Sequence, residues 1–382
     1  MVTPLRSTEI PIAGKLCTTD MLSKQMRYPG FEWITFPAYG TLIVFCVIFG
    51  GSVIASTIEG TGLAAKYPGD KGIGRDPDVV FAEDFEEKNL QAIGERWSEV
   101  KNEEEKSLAL SNEVPEFSSG KQSLKVTATR DKNTGGHLFK VLKPGYDELY
   151  IRFYVKFADD IGFINHFVKL QGSIDPPSYP EGEAGHKHTN SFSTGLEPQE
   201  ISCMTYPFVP FSPPGIWHFY TYWPGMHSWQ NPDGTGTSFY GNDFESKEPV
   251  IVPRGRWQCV EFMVKMNSTP EQSDGEQAFW IDGKLAGRFA PGSVKGDWIR
   301  DIFRLDEKKG KPFEGFRWRT DPRVLINKIW LLLYVNPSEG TAAKNGEYLA
   351  KHTDIKINTQ TATVWFDDLV VAKKYIGPVQ HD

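Results

Sequence analysis

From residue 79 onward, apolar and polar positions alternate with a period of two, the mark of half-buried strands rather than helices. The cleanest case is 149–157, where Ile151, Phe153, Val155 and Phe157 share one side and Tyr150, Arg152, Tyr154 and Lys156 the other. Similar runs predict strands at 79–85, 123–128, 166–172, 191–197, 217–223, 257–266, 277–281, 285–289, 329–335 and 363–372. Clusters of Gly, Pro, Asn and Asp separate them. Asp282-Gly283, between FWI and KLAGRF, is a two-residue hairpin turn. No helical period runs beyond about three turns. The pattern predicts an all-β fold, a single β-sandwich without internal repeats. The connections 173–190, 198–214 and 224–250 are long, and loops of that length tend to be functional.

The N-terminal region follows a different pattern. Residues 1–38 form a polar leader with Pro4, Pro11, Pro29 and Pro37. At 39–58 an uncharged apolar run can span a bilayer as an anchor or serve as the apolar core of a signal peptide. Either reading predicts an exported protein: secreted, periplasmic or anchored, with membrane contact only through this segment. Residues 59–78 read as a linker, and 79–378 as the folded domain.

Composition narrows the class. Eleven Trp, 14 Tyr and 25 Phe beside 36 Gly and 26 Pro favour a turn-rich β protein. A net charge of −7 argues against nucleic acid as a partner, since phosphate recognition wants a basic surface. Of four cysteines, none forms a CxxC pair, so a thiolate zinc site is not expected. Cys203 and Cys259 could pair in an exported protein.

Several predicted strands carry Tyr beside a cation on their polar side. In 217–223, His218, Tyr220 and Tyr222 share one face, and Trp217, Phe219 and Thr221 the other. Lys169 and Gln171 oppose Val168 and Leu170, and Glu261 and Lys265 oppose Val260, Phe262 and Val264. Rings with hydroxyls next to cations suit a sugar polymer bearing carboxylates. The aromatic stretch 215–244 adds Trp223, Trp229 and Tyr240 as sugar-stacking groups at a groove's rim.

The segments EDF, ELYIRFYVKFADD, HFVKLQG, FSTGLEP, HFYTYWPGM, RGRWQCVEFMVKMNS, GEQAFWIDGKLAGRF and VWFDDLVVAKKYIGP, in this order, resemble the jelly-roll polysaccharide lyases. These are the alginate and glucuronan lyase-like families, and the likeness extends to exported lyase-like proteins of planctomycete-type bacteria. The resemblance covers residues 79–378. It implies a concanavalin A-like jelly roll of the lectin/glucanase type and an anionic polysaccharide as partner. Such lyases draw a lysine from a KLPG-type strand, serine and arginine from FSxR, and tyrosines from YxY. Lys169, Ser193 and Tyr220 with Tyr222 match, but Gly195 stands where the arginine would be.

β-Elimination of a uronic acid requires the C6 carboxylate to be neutralised, the C5 proton removed and the leaving oxygen protonated. The candidates for catalysis are Tyr222, Tyr220, Lys169 and His166. Arg152, Tyr154, Lys156, Gln171, Ser193 and His218 are the candidates for substrate binding, with Arg152 and Lys169 as carboxylate clamps. The chemistry requires no cofactor. Oxygen-ligand logic allows a structural calcium at Asp84 and Asp367, with Glu83 and Asp368 beside them. His186 and His188, in GHKH, read as loop hydrogen bonders. Two further readings stay open: a non-catalytic lectin-like binder on the same fold, and a glycoside hydrolase. The hydrolase would need two carboxylates, of which Glu261 and Glu197 are candidates on different strands.

Overall fold

The computed structural model describes residues 61–103, 106–199, 213–227, 229–230, 237–336 and 354–380. The leader, the apolar segment 39–58 and Cys203 lie outside these residues. Among the described residues no helix is long and apolar enough to cross a membrane.

The strands begin with β1 (Val79–Glu83), β2 (Glu99–Lys101), β3 (Leu108–Ser111), β4 (Ser123–Thr129) and β5 (Gly135–Tyr146). Next come β6 (Glu148–Phe157), β7 (Lys169–Ser173), β8 (Ser191–Gln199), β9 (Ile216–Tyr222) and β10 (Trp229–Gln230). Then follow β11 (Thr237–Ser238), β12 (Asn242–Glu245), β13 (Trp257–Lys265), β14 (Glu276–Ile281) and β15 (Lys284–Phe289). The last are β16 (Lys295–Ile299), β17 (Ile302–Leu305), β18 (Lys311–Pro312), β19 (Leu325–Tyr334) and β20 (Thr361–Ala372).

They form two large sheets. The first runs β15-β14-β13-β6-β20-β4-β3, with β1 paired to β20; the second runs β18-β16-β17-β12-β9-β8-β7-β19-β5-β2. Aromatic rings join the sheets: Phe167 stacks on Phe366 at 5.1 Å, and Phe157 meets Trp217 edge-on at 5.9 Å. Two polar links cross the same core. Trp217 Nε1 donates to Gln258 Oε1 at 2.8 Å, and Thr194 Oγ1 donates to Gln277 Oε1 at 2.8 Å. Both are buried donors that would be costly to leave unpaired. This is the all-β jelly-roll sandwich expected. Asp282 and Gly283 both take positive φ (51° and 75°), as a two-residue primed turn between β14 and β15 requires.

Three expectations are corrected. The polar faces of 149–157, 166–172 and 257–266 do not form one surface, because β6 and β13 belong to the first sheet and β7 to the second. Nor is the outward side of the first sheet plainly solvated. Residues 61–78, expected as a linker, pack onto it, with Leu63, Ala64 and Ile73 buried against Val370, Ala372 and Ile376. Finally, β5 was not expected as a strand. It carries three glycines and Pro144, yet it pairs with β19: Gly135 and Gly136 sit in regular register, and a register shift near Ile326 lies opposite Pro144 and Gly145.

Candidate functional site

Register builds the site on the outward face of the second sheet. Cross-strand partners in an antiparallel pair point to the same side. One row across the sheet therefore reads Trp330, Lys169, Gly195, Tyr220 and Asp243. The next reads Lys328, Gln171, Ser193 and Tyr222. A third holds Glu197, His218 and Glu245. His166 enters from just before β7, fixed by backbone hydrogen bonds to Tyr334 of 3.2 and 3.0 Å. These rows border a groove of about 390 Å³ lined by Lys101, His137, His166, Lys169, Glu183, Tyr222, Trp330 and Tyr334, among others.

At its floor the Lys169 ammonium lies 2.6 Å from Glu183 Oε2 and 3.8 Å from Glu197 Oε1. Gln171 Nε2 donates to the other oxygen of Glu183, and Gln171 Oε1 is buried without a hydrogen-bond partner. Burial works against the Lys169 charge, but the two carboxylates hold its pKa above the ordinary lysine value. Burial likewise favours a neutral Glu183, yet Lys169 overrides it and the carboxyl titrates at about 2. Glu197 is also held below its ordinary value: burial opposes this, and His166, followed by Lys169, outweighs it.

Gly195 explains how Glu197 reaches the centre. A Cβ at Gly195 would lie 2.9 Å from Glu197 Oε1 and 3.0 Å from Lys169 Cγ. The space any longer side chain would need at this position is filled by these two side chains.

Two histidines are oriented by carboxylates. His166 Nδ1 lies 3.2 Å from both oxygens of Glu197. An ionised carboxylate only accepts, so Nδ1 donates, leaving Nε2 as the basic nitrogen of a neutral ring. His218 donates Nδ1–H to the Glu197 carbonyl at 2.9 Å and turns Nε2 to Asp243 at 3.2 Å. Burial lowers the pKa of His218, but its contacts with Asp243 raise it more, to a net value above 6.5. A raised folded-state pKa stabilises the fold fully below the unfolded value and loses that contribution as pH rises through the folded one. Unfolding free energy should therefore fall as pH is raised from about 6.5 through the His218 titration. Denaturant melts of Asp243→Asn should lack that slope; a slope equal to the parent's would refute the pairing.

The tyrosines form a coupled pair. Their rings meet edge-on at 5.5 Å, and their hydroxyls share a hydrogen bond. Burial, then the charge of Glu183, pushes Tyr222 up to about 12, with Lys169 opposing. Tyr220 rises well above its ordinary value, chiefly by burial.

The structure thus brings together Lys169, Gln171, Ser193, His166, His218, Tyr220 and Tyr222. It does not bring Arg152, Tyr154 or Lys156 to them. Arg152 is fully buried on the first sheet, donating to Asp70 and to the carbonyls of Asp368 (3.1 Å) and Gly377 (3.4 Å). Tyr154 Oη accepts from Val379 N, and Lys156 pairs with Glu113 at 2.9 Å. Trp223 is also displaced from its expected role. It is buried among Phe244, Trp298 and Phe316 rather than exposed on a rim. Tyr240 is half exposed (50%) in the segment after β11, beside Gly241, whose missing Cβ lets the chain approach the Tyr220 ring. Trp229 lies in β10, and its side chain is outside the described residues. His188 is a loop hydrogen bonder as expected, contacting Ser191 Oγ at 2.9 Å and donating Nε2–H to the Glu183 carbonyl at 3.2 Å.

Sequence reasoning missed Glu183 and Asp243. Glu183 sits in the long connection between β7 and β8, where no period reveals which way a side chain points. Asp243 becomes visible only through the β9–β12 register.

A cavity of similar size, about 400 Å³, lies over the first sheet between Asp70, Glu83, Arg96 and Asp368. It has no aromatic wall, and Glu83 is already paired with Arg96 and bonded by Trp97. Asp84 accepts from Glu86 N at 3.3 Å, and Asp367 from Asp368 N at 2.8 Å. Burial, then the charge of Asp368, raises the pKa of Asp367. Among the described residues no group of three or more His, Cys, Asp or Glu side chains is placed to hold a metal ion.

No protein-family model and no curated protein matches the chain. Solved structures with similar architecture include the alginate lyase of a Chlorella virus, 15% identical, with 78% of this chain and 100% of that one covered and a TM-score of 0.48. A marine alginate lyase from Aplysia kurodai is 12% identical, with 77% and 98% covered and a TM-score of 0.48. An endo-β-1,4-glucuronan lyase from the fungus Trichoderma reesei is 14% identical, with 77% and 95% covered and a TM-score of 0.39.

Proposed function

We propose that this protein cleaves an anionic, uronic-acid polysaccharide by β-elimination in the groove of the second sheet. The observation that carries the reading is the floor of that groove. An ammonium, an amide and a hydroxyl hold a carboxylate there, with the Tyr222 phenol alongside. Lys169 and Gln171 would neutralise the C6 carboxylate, which acidifies the C5 proton. His166 Nε2, oriented by Glu197, is the base that takes that proton. Tyr222, its pKa pushed up to about 12 and so protonated at neutral pH, protonates the leaving O4 and is left as a phenolate. The electrons of the C5–H bond form the C4–C5 double bond, those of the C4–O4 bond leave with O4, and the proton taken up by His166 returns through solvent to the Tyr222 phenolate. No cofactor enters these steps.

A hydrolase would need one of its two carboxylates protonated at working pH. Glu183 and Glu197 are both held below their ordinary values, which favours elimination. Export through 39–58 belongs to the same reading, since a large polymer is met outside the cell.

The test is incubation with alginate, glucuronan and a panel of glycosaminoglycans, following the ultraviolet absorbance of unsaturated uronate. Product from at least one polymer is expected, and it should disappear in Lys169→Met. Tight polymer binding with no unsaturated product from any of them would point instead to a lectin-like binder.

A further inference from the structure

We propose that Glu183 is an internal stand-in for the substrate carboxylate, and that the strap 174–190 carrying it must withdraw before a uronate can seat. The inference rests on the reading of Lys169 and Tyr222 as the reacting centre. One oxygen of Glu183 meets the Lys169 ammonium at 2.6 Å and the other accepts from Gln171 Nε2. That divided contact is what a bound uronate carboxylate would make with the same two groups. The side chain is 10% exposed, although Gly182, Ala184 and Gly185 around it are open to solvent. A charged group is thus aimed inward from between exposed neighbours, 181–182 and 184–187, while His188 beyond them is buried against Tyr222 at 5.2 Å.

The strap's backbone is lightly fastened here. Added Cβ atoms at Gly182 and Gly185 would touch nothing within 4 Å, and Gly185 takes φ +90°. Other ties are Gly185 N to the Phe239 carbonyl (2.8 Å), Thr320 Oγ1 to the Thr189 carbonyl (3.1 Å) and Glu181 to Lys328 (3.9 Å). Protonation does not release Glu183 near neutral pH, because its carboxyl titrates at about 2. Release therefore requires competition.

A tethered carboxylate acts at high effective concentration against a free one. A single uronate offers one carboxylate and loses that contest. A polymer adds contacts along the groove, at Trp330 and Tyr334. The strap would then select chains over monosaccharides without any change at the reacting centre.

The experiment is calorimetric titration of D-glucuronate and of alginate oligosaccharides into the full chain and into Glu183→Ala and Glu183→Gln. The second variant preserves side-chain volume should the first fail to fold. Uronate binding should tighten at least about tenfold in the variants, more for the monosaccharide than for the oligosaccharides, and adding Lys169→Met should abolish it. Unchanged or weaker uronate binding in a folded variant would overturn the strap. Unsaturated product with the same KM in all three proteins would overturn the strap and leave the lyase reading standing. Tighter binding with no product anywhere would do the reverse.

Discussion

Tyr222→Phe should lower turnover about 10²–10⁴-fold, the usual worth of a general acid or base, while polymer binding stays close to the parent's. The substitution removes one oxygen and keeps the ring, which is 2% exposed and lies tilted against His188 at 5.2 Å. What is lost is the proton for the leaving O4, along with the hydrogen bond shared with the Tyr220 hydroxyl. Measured Kd for a uronate oligosaccharide and kcat on the polymer separate the outcomes. A kcat collapse at constant Kd identifies Tyr222 as the acid; parallel loss of both would make it a stacking platform. With a titration near 12 in the free protein, Tyr222 stays protonated across the neutral range.

How much of this was legible before the structure depended on the range of each interaction. Within one strand, alternation is local and reliable. His218, Tyr220 and Tyr222 do face away from Trp217, Phe219 and Thr221, which are all buried in the core. The same alternation places Trp223 with Trp217 and Phe219, so its burial could have been read from parity alone. Glu197 was accessible in the same way: two residues past Gly195 it must share that face, and the gap it fills was already conspicuous. Neighbouring strands are a different matter. Nothing local tells whether β6 or β7 joins the sheet that holds β9, and Arg152 and Lys169 consequently looked equivalent as cations on polar strand faces. Pairing registers set by non-local hydrogen bonds separate them onto opposite sides of the molecule. Glu183 was the hardest case, since a connection of this length constrains its ends but not the direction of a side chain in its middle.

The second large effect is on stability and lies away from the groove. Arg152→Met should cost about 3–5 kcal/mol, the range for breaking a buried ion pair by removing one partner. Arg152 is fully buried, the Asp70 side chain is 8% exposed, and the guanidinium also serves two carbonyls near the C-terminal end of the chain. It ties three separate segments, the turn at Pro68–Asp70, the end of β20 and the tail at Gly377, to the middle of β6. Around it, Glu261 accepts from Ile376 N at 2.7 Å and Gly377 N at 2.8 Å, and Tyr154 Oη from Val379 N at 2.9 Å. These inward-held polar groups account for Arg, Tyr and Glu alternating with apolar residues in β6 and β13: residues 61–78 and 376–379, not water, cover that face. Removing the guanidinium leaves the Asp70 carboxylate without its ionic partner at a position only 8% exposed, which is where most of the cost arises. Adding Asp70→Leu should recover a large part of it, because an apolar pair does not carry the desolvation penalty. Urea melts of the parent, the single variant and the double variant measure both steps. Binding of uronate oligosaccharide by the folded Arg152→Met protein should match the parent's. A variant that kept its stability but lost binding would return Arg152 to the role of carboxylate clamp, and with it the idea of one continuous polar surface.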